Sequence, residues 1–264
     1  MTPGLVLLSL AALGYLAAAA GFQWNLFRLQ ERDWQRWRTL LWASFLTHSL
    51  ALGVLTFSLG HVPLSGMAES LGSLAWVVVA LYLFLGQTWK MDVLGTVAAP
   101  AAFAMTAFSI LAMGTDTSGE ARHGIWFYLH VGSLLLGYAA FFLAGFCALL
   151  YFIEARLLKQ KRLTGIFTLL PSLDSLDRAA YRLILAGFPL MVLGITTGMV
   201  LSGWTWNWAD PKMNLVLVTG LVYLGYLHVR LIAGWQGRRV NLLLLIAFVC
   251  VLVSFLSPGR FHRF

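Results

Sequence analysis

Residues 126 to 153 read WFYLHVGSLLLGYAAFFLAGFCALLYFI, a run with no Asp, Glu, Lys or Arg, whose most polar ionisable group is His130. About 20 consecutive apolar residues are enough for a helix to cross a hydrocarbon core of roughly 30 Å. The run is solid rather than alternating, so its backbone groups must be satisfied within a helix and not in a barrel. Working outward, seven more such runs lie at about 4 to 26, 39 to 60, 72 to 88, 93 to 113, 182 to 202, 215 to 233 and 240 to 256. The expected fold class is all-α, a polytopic membrane helix bundle of about eight transmembrane helices. It forms a single integral membrane domain, with four spans in residues 1–125 and four in 126–264.

Composition agrees. The 264 residues are 60% hydrophobic and 11% charged, with mean hydropathy +0.81, whereas soluble domains carry about a quarter charged residues. The net charge is +8, and its position gives the topology, since Lys and Arg are retained on the cytoplasmic side. With both termini on the outer side, Arg122, Lys212, Arg260 and Arg263 lie outside and balance Glu69, Asp116, Glu120 and Asp210, leaving fourteen of the 18 cations inside. The basic excess therefore reads as topology and contact with membrane lipids, and no nucleic acid is expected. The implied location is the cell inner (plasma) membrane.

The first cation is Arg28, so the first run lacks the basic start of a cleaved leader and is expected to remain as a span despite the small residues Ala17 to Ala20. Cys147 and Cys250 sit inside apolar runs and read as packing residues. The longest inner loop, about 154 to 182, reads as a solvated connector. Ser172 is placed to cap a short helix on the membrane surface. No carboxylate falls well inside any of the eight runs.

Ionisable groups in lipid are costly and mark function by default. Six histidines occur: His48, His61, His123, His130, His228 and His262. From the run boundaries, His48 lies roughly 14 Å and His228 roughly 8 Å above the inner ends of their helices, at depths one flat ligand can bridge. His130 and His262 form a second, outer tier, and His61 and His123 read as solvated. Paired imidazoles on the two faces of a ring suit a haem iron. The plain alternative for any single histidine is a hydrogen bond to a neighbouring helix. Between the sixth and seventh runs the chain reads Trp204-Thr-Trp206-Asn-Trp208-Ala-Asp210-Pro-Lys212. If extended, this segment points three indoles to one side as an apolar wall for a porphyrin. Lys212 then pairs with a propionate, and Asp210 orients a histidine or caps the next helix.

These residues carry a resemblance. Leu129-His130, the Trp204-to-Lys212 loop, Leu227-His228-x-Arg230 and Gly234-Trp235-x-Gly237-Arg238-Arg239 resemble the cytochrome c assembly family of membrane haem-handling proteins, closest to its eight-span CcsA/HemX-like branch. The resemblance spans about 126 to 264. It implies that the tryptophan-rich (WWD-type) loop binds haem at the outer surface between two outer histidines, here His130 and His262, while His228 and His48 hold haem within the membrane. The closing Gly259-Arg260-Phe261-His262 is similar to the family's closing Gly-Leu-His. The family usually writes Trp-x-Trp-Asp-Pro-Lys-Glu, whereas Ala209 is interposed here and Met213 stands at the acidic position.

The expected function is a haem-binding and haem-delivery protein for cytochrome c maturation. Its cofactor is haem b (iron protoporphyrin IX), and its partners are apocytochrome c and a CcsB/ResB-like membrane subunit. The family reaction joins haem vinyls to thiols of a C-x-x-C-H motif. This chain offers no catalytic nucleophile, so as a component of a cytochrome c synthase it would position the cofactor. The alternative is a HemX-like regulatory or scaffold protein of tetrapyrrole metabolism. A transporter would show broken helices and inverted halves, which the sequence lacks. An absorption spectrum of detergent-purified protein separates these readings: a Soret band with low-spin bis-histidine features is expected, and a protein free of haem bands after growth with ample haem contradicts haem handling.

Overall fold

The computed structural model describes residues 2–28, 34–89, 91–113 and 124–256. Its helices are α1 (Pro3–Arg28), α2 (Trp34–Leu59), α3 (Gly66–Trp89), α4 (Gly95–Ala112), α5 (Ile125–Lys159), α6 (Leu173–Leu201), α7 (Pro211–Leu231) and α8 (Arg238–Leu256), with 3-10 turns at Asp92–Leu94 and Gly165–Leu169. The turn before α4 runs into it, and all eight segments are long and apolar enough to cross a membrane. No strand occurs among the described residues. Pro100 and Pro189 lie inside α4 and α6, as lipid-embedded helices tolerate.

Two bounds differ from the sequence expectation. α5 continues to Lys159 and α6 begins at Leu173, so the connector is about half the length read from hydropathy. Ser172 does cap a helix, its Oγ accepting from the Ser175 amide at 3.3 Å, but that helix is α6 itself and not a separate surface segment. A helix needs backbone hydrogen bonds, not lipid, so both spans continue past their apolar stretch into polar sequence. The consequence is that Glu154 and Asp177, read as loop residues, are buried carboxylates within α5 and α6.

The chain packs as two compact units. Unit 1 holds residues 1–123 and 162–171, and unit 2 holds 124–161 and 172–264. In unit 1, three glycines of α1 set the register against α2. A Cβ added at Gly4 would meet Leu55, one at Gly14 would meet Ser44 and one at Gly21 would meet Trp37. The order reverses along the pair, so the helices are antiparallel and close. α4 packs on α1 and α3, with Gly95 against Phe22 and Tyr82.

In unit 2, α5 is the central post. A Cβ on Gly187 of α6 would fall 2.9 Å from Phe141 and 3.0 Å from Ala140 of α5, so the backbones approach where side chains are absent. Phe141 stacks on Tyr223 of α7 with centroids 3.9 Å apart and planes 12° apart, worth about 0.5–1.5 kcal/mol beyond its buried area. Tyr138 meets Ser254 and Phe255 of α8. At the end of unit 2 where α7 gives way to α8, Asp177 accepts from Arg230 Nη2 and from Asn241 Nδ2, both at 2.6 Å. This links α6, α7 and α8 through one buried carboxylate. Removing a single partner of such a pair costs about 3–5 kcal/mol.

Substituting Gly187→Val is expected to destabilise unit 2 by about 1–3 kcal/mol. Gly225→Ala, whose added Cβ meets nothing within 4 Å, is expected not to destabilise. Unfolding in SDS titrations, followed by circular dichroism, checks this; equal midpoints for the two variants contradict the packing described.

Candidate functional site

One end of unit 2 gathers the N-terminal turns of α5, the C-terminal turns of α6, the 202–210 loop and the start of α7. His130 stands on α5 facing α6. Its Nδ1 lies 2.7 Å from the Gly194 carbonyl oxygen. A carbonyl can only accept, so Nδ1 carries the proton and donates. Nε2 then bears the lone pair. The ring lies over Gly198, where an added Cβ would be 2.7 Å from His130 Cε1. Gly198 is thus the notch that seats the imidazole, while Gly194, one turn earlier, supplies the carbonyl and packs its own open face against Leu134. This is the bond to a neighbouring helix that the sequence offers as the plain alternative for a single histidine, and it leaves the second ring nitrogen open.

The tryptophan loop is built from turns, not from an extended strand. Gly203 and Trp204 both take φ 63°, and the Trp204 amide returns to the Met199 carbonyl at 2.7 Å, closing the end of α6. Thr205 Oγ1 donates to the Ser202 carbonyl at 2.6 Å. The expectation of three indoles on one side is therefore corrected. Trp206 and Trp208 pair with centroids 5.9 Å apart and a 55° tilt, while Trp204, 67% exposed, sits in the left-handed turn. Asn214 organises the pair: its Oδ1 accepts from Trp206 Nε1 at 3.2 Å and its Nδ2 donates to the Trp208 carbonyl at 2.7 Å.

Asp210 caps α7, its Oδ1 accepting from the Lys212 amide at 2.9 Å across Pro211. Pro at the first helical position suits this cap. Its Oδ2 is buried without a hydrogen-bond partner, an unmet acceptor beside the indole pair in sequence. The Lys212 ammonium lies within electrostatic range of both His130 and Asp210. His262 and His123 lie outside the described residues.

The remaining histidines have distinct settings. His48 on α2 is 0% exposed. Its Nδ1 is 3.1 Å from Tyr15 Oη on α1, and its Nε2 is buried with no partner. His228 is exposed in the last turn of α7, on a stripe with Val218, Leu221 and Leu224 and with Gly225. The helix bounds revise the depths read from hydropathy. His48 is fourteen residues, roughly 21 Å, from the start of α2, whereas His228 is three residues, roughly 5 Å, from the end of α7. His61 is not simply solvated: its Nε2 is 3.2 Å from Glu69 Oε1, and Glu69 also accepts from the Ser65 amide at 2.8 Å at the start of α3.

Sequence reasoning missed Tyr15, Asn214 and the Asp177 cluster. The Gly194-x-x-x-Gly198 spacing was a usable signal, since small residues one turn apart admit a bulky group from the facing helix. Asp177 was detectable from the apolar residues Leu173, Leu176, Ala180, Leu183 and Ile184 around it, which continue the helical period beyond the hydropathic run.

Eight lipid-compatible helices, with imidazoles inside them and a turn-built tryptophan loop between the sixth and seventh, define a polytopic membrane protein. The cytochrome C assembly protein family model matches residues 64–259, and the chain belongs to that family. The match begins well before residue 126, so the likeness reaches back into α3 and α4. Cytochrome c biogenesis protein CcsA of Microcystis aeruginosa is 30% identical over 259 residues, covering 78% of this chain and 79% of that protein. CcsA of Porphyra purpurea is 31% identical over 260 residues, covering 80% and 81%.

Nitrogen NMR of histidine-labelled protein without haem is expected to report the Nδ1-protonated form for His130. Gly198→Val, which displaces the ring, should abolish that hydrogen-bonded signal. An Nε2-protonated His130 in the unsubstituted protein contradicts the geometry.

Proposed function

We propose that this protein acts in cytochrome c maturation by holding haem b at its tryptophan-rich loop with His130 as an axial ligand. The observation that carries the reading is the His130 to Gly194 hydrogen bond, which fixes the tautomer and leaves Nε2 free to coordinate. The residues fit such a group: an open imidazole nitrogen, a rigid indole pair, a cation at Lys212 for a propionate, and an apolar surround. His262 is the second axial ligand in this proposal, and the loop faces the outer side of the plasma membrane, as the charge distribution suggests.

His228 and His48 are proposed as ligands of haem at membrane level. His228 supports this by its exposure on an apolar stripe, where an unpaired imidazole is expensive without a ligand or partner. His48 supports it by its unmet Nε2, with Tyr15 holding the other nitrogen. Its full burial means that the surrounding helices must move before a ligand reaches it.

Haem held at the loop would supply the vinyl groups to which thiols of an apocytochrome add. The chain's own task is positional. His130 would hold the iron through its open Nε2, Asn214 holds Trp206 and Trp208 in place, and Asp210 with Pro211 fixes where α7 begins. An apocytochrome c and a CcsB/ResB-like subunit are the proposed partners. The names of the CcsA relatives, cytochrome c biogenesis proteins, support the pathway.

His130→Ala combined with His262→Ala is expected to remove most of the low-spin signal of haem co-purified at the loop, whereas Trp204→Ala, outside the indole pair, should retain it. The absorption and paramagnetic resonance spectra of the purified variants check this. A double variant with an unchanged haem spectrum and content overturns the assignment.

A further inference from the structure

At the opposite end of unit 2, residues 232–237 join α7 to α8. Gly234 and Gly237 take φ 66° and 69°, a left-handed backbone that glycine adopts without steric cost. The turn folds back on α7, its Trp235 amide donating to the Val229 carbonyl at 3.0 Å. Two side chains grip its carbonyls from inside: Arg230 Nη1 donates to Trp235 O at 3.2 Å and Asn241 Nδ2 to Gly237 O at 2.9 Å. Both are aimed by the buried Asp177 carboxylate. Tyr181 lies under the Arg230 guanidinium at 5.1 Å. The backbone of the turn is therefore set before any ligand arrives.

On the outside of this scaffold, Trp235, Gln236, Arg238 and Arg239 line an open concavity. Arg238 and Arg239 are exposed. Among the described residues neither forms an ion pair, although Arg38, Arg178 and Arg230 do. Two adjacent guanidinium groups stand at the positive end of α8, whose first turn has no acidic residue, and a bound anion suits both the guanidiniums and the helix end. Guanidinium forks match phosphate oxygens in pairs. The Gln236 amide adds a donor, and an indole beside them suits the headgroup level of a bilayer.

We propose that this concavity binds a phosphate oxyanion, as presented by the headgroup of an anionic phospholipid. Inorganic phosphate shares the chemistry, and the flanking Trp235 favours a phosphate tethered to acyl chains. The proposal uses none of the residues assigned to haem, so it stands or falls separately from that reading.

The test uses the full chain in detergent, with phosphatidylglycerol, phosphatidylcholine and inorganic phosphate as probes, read by lipid adducts in native mass spectrometry and by the thermal midpoint. Phosphatidylglycerol is expected to bind and protect. Arg238→Gln with Arg239→Gln should weaken that binding roughly thirtyfold, while Lys159→Gln with Lys161→Gln, a pair elsewhere at the same end of unit 2, leaves it intact. Undiminished binding in the arginine variant overturns the site, and so does an equal loss in the lysine variant, which would mean general charge. Protection by inorganic phosphate equal to that by the lipid overturns the lipid source. Should the double variant fail to fold, Arg239→Gln alone serves: a loss supports the site and unchanged affinity overturns it.

Discussion

An imidazole set among apolar helices has no water to turn to, so each ring nitrogen must face protein, ligand or nothing. In this molecule the single contact from His130 Nδ1 to the Gly194 carbonyl decides the rest of the site. It consumes one nitrogen, orients the ring over the Gly198 notch and leaves the other nitrogen open, within electrostatic range of Lys212 at the start of α7. The same demand explains the other polar side chains of unit 2. Asp177 is buried, and its two oxygens are met by Arg230 and Asn241. Among the described residues the ionisable groups whose demand is unmet, Nε2 of His48, Oδ2 of Asp210, Oε2 of Glu154 and Oη of Tyr223, are then the informative exceptions.

Much of the fold was legible because lipid imposes a length and a composition on every span. The run from Trp126 to Ile153 could only be a helix, and the seven others followed by the same criterion. The ends were not legible, since hydropathy reports where lipid contact stops and not where backbone hydrogen bonding stops. Glu154 and Asp177 were assigned to a loop for that reason, although α5 and α6 run through them.

The site was legible in its residue types and less so in its geometry. A histidine near the start of α5 and a tryptophan-rich loop before α7 can be read from the letters, but a carbonyl partner such as Gly194 carries no mark in the sequence. The alternation of Trp204, Trp206 and Trp208 suggested one wall. The left-handed pair Gly203 and Trp204 breaks it, because closing α6 takes precedence over strand geometry, and Asn214 then couples only the latter two indoles. A side chain later in the chain, reaching back to a loop, is a tertiary choice that period and propensity do not encode.

The account rests on an open His130 Nε2 meeting iron in front of Trp206 and Trp208. Electron cryomicroscopy of the haem-loaded protein addresses this directly. The account predicts a porphyrin against that indole pair with its iron bonded to His130 Nε2, and Nδ1 still on the Gly194 carbonyl. Haem density elsewhere, with Nε2 of a seated His130 facing no iron, would contradict it.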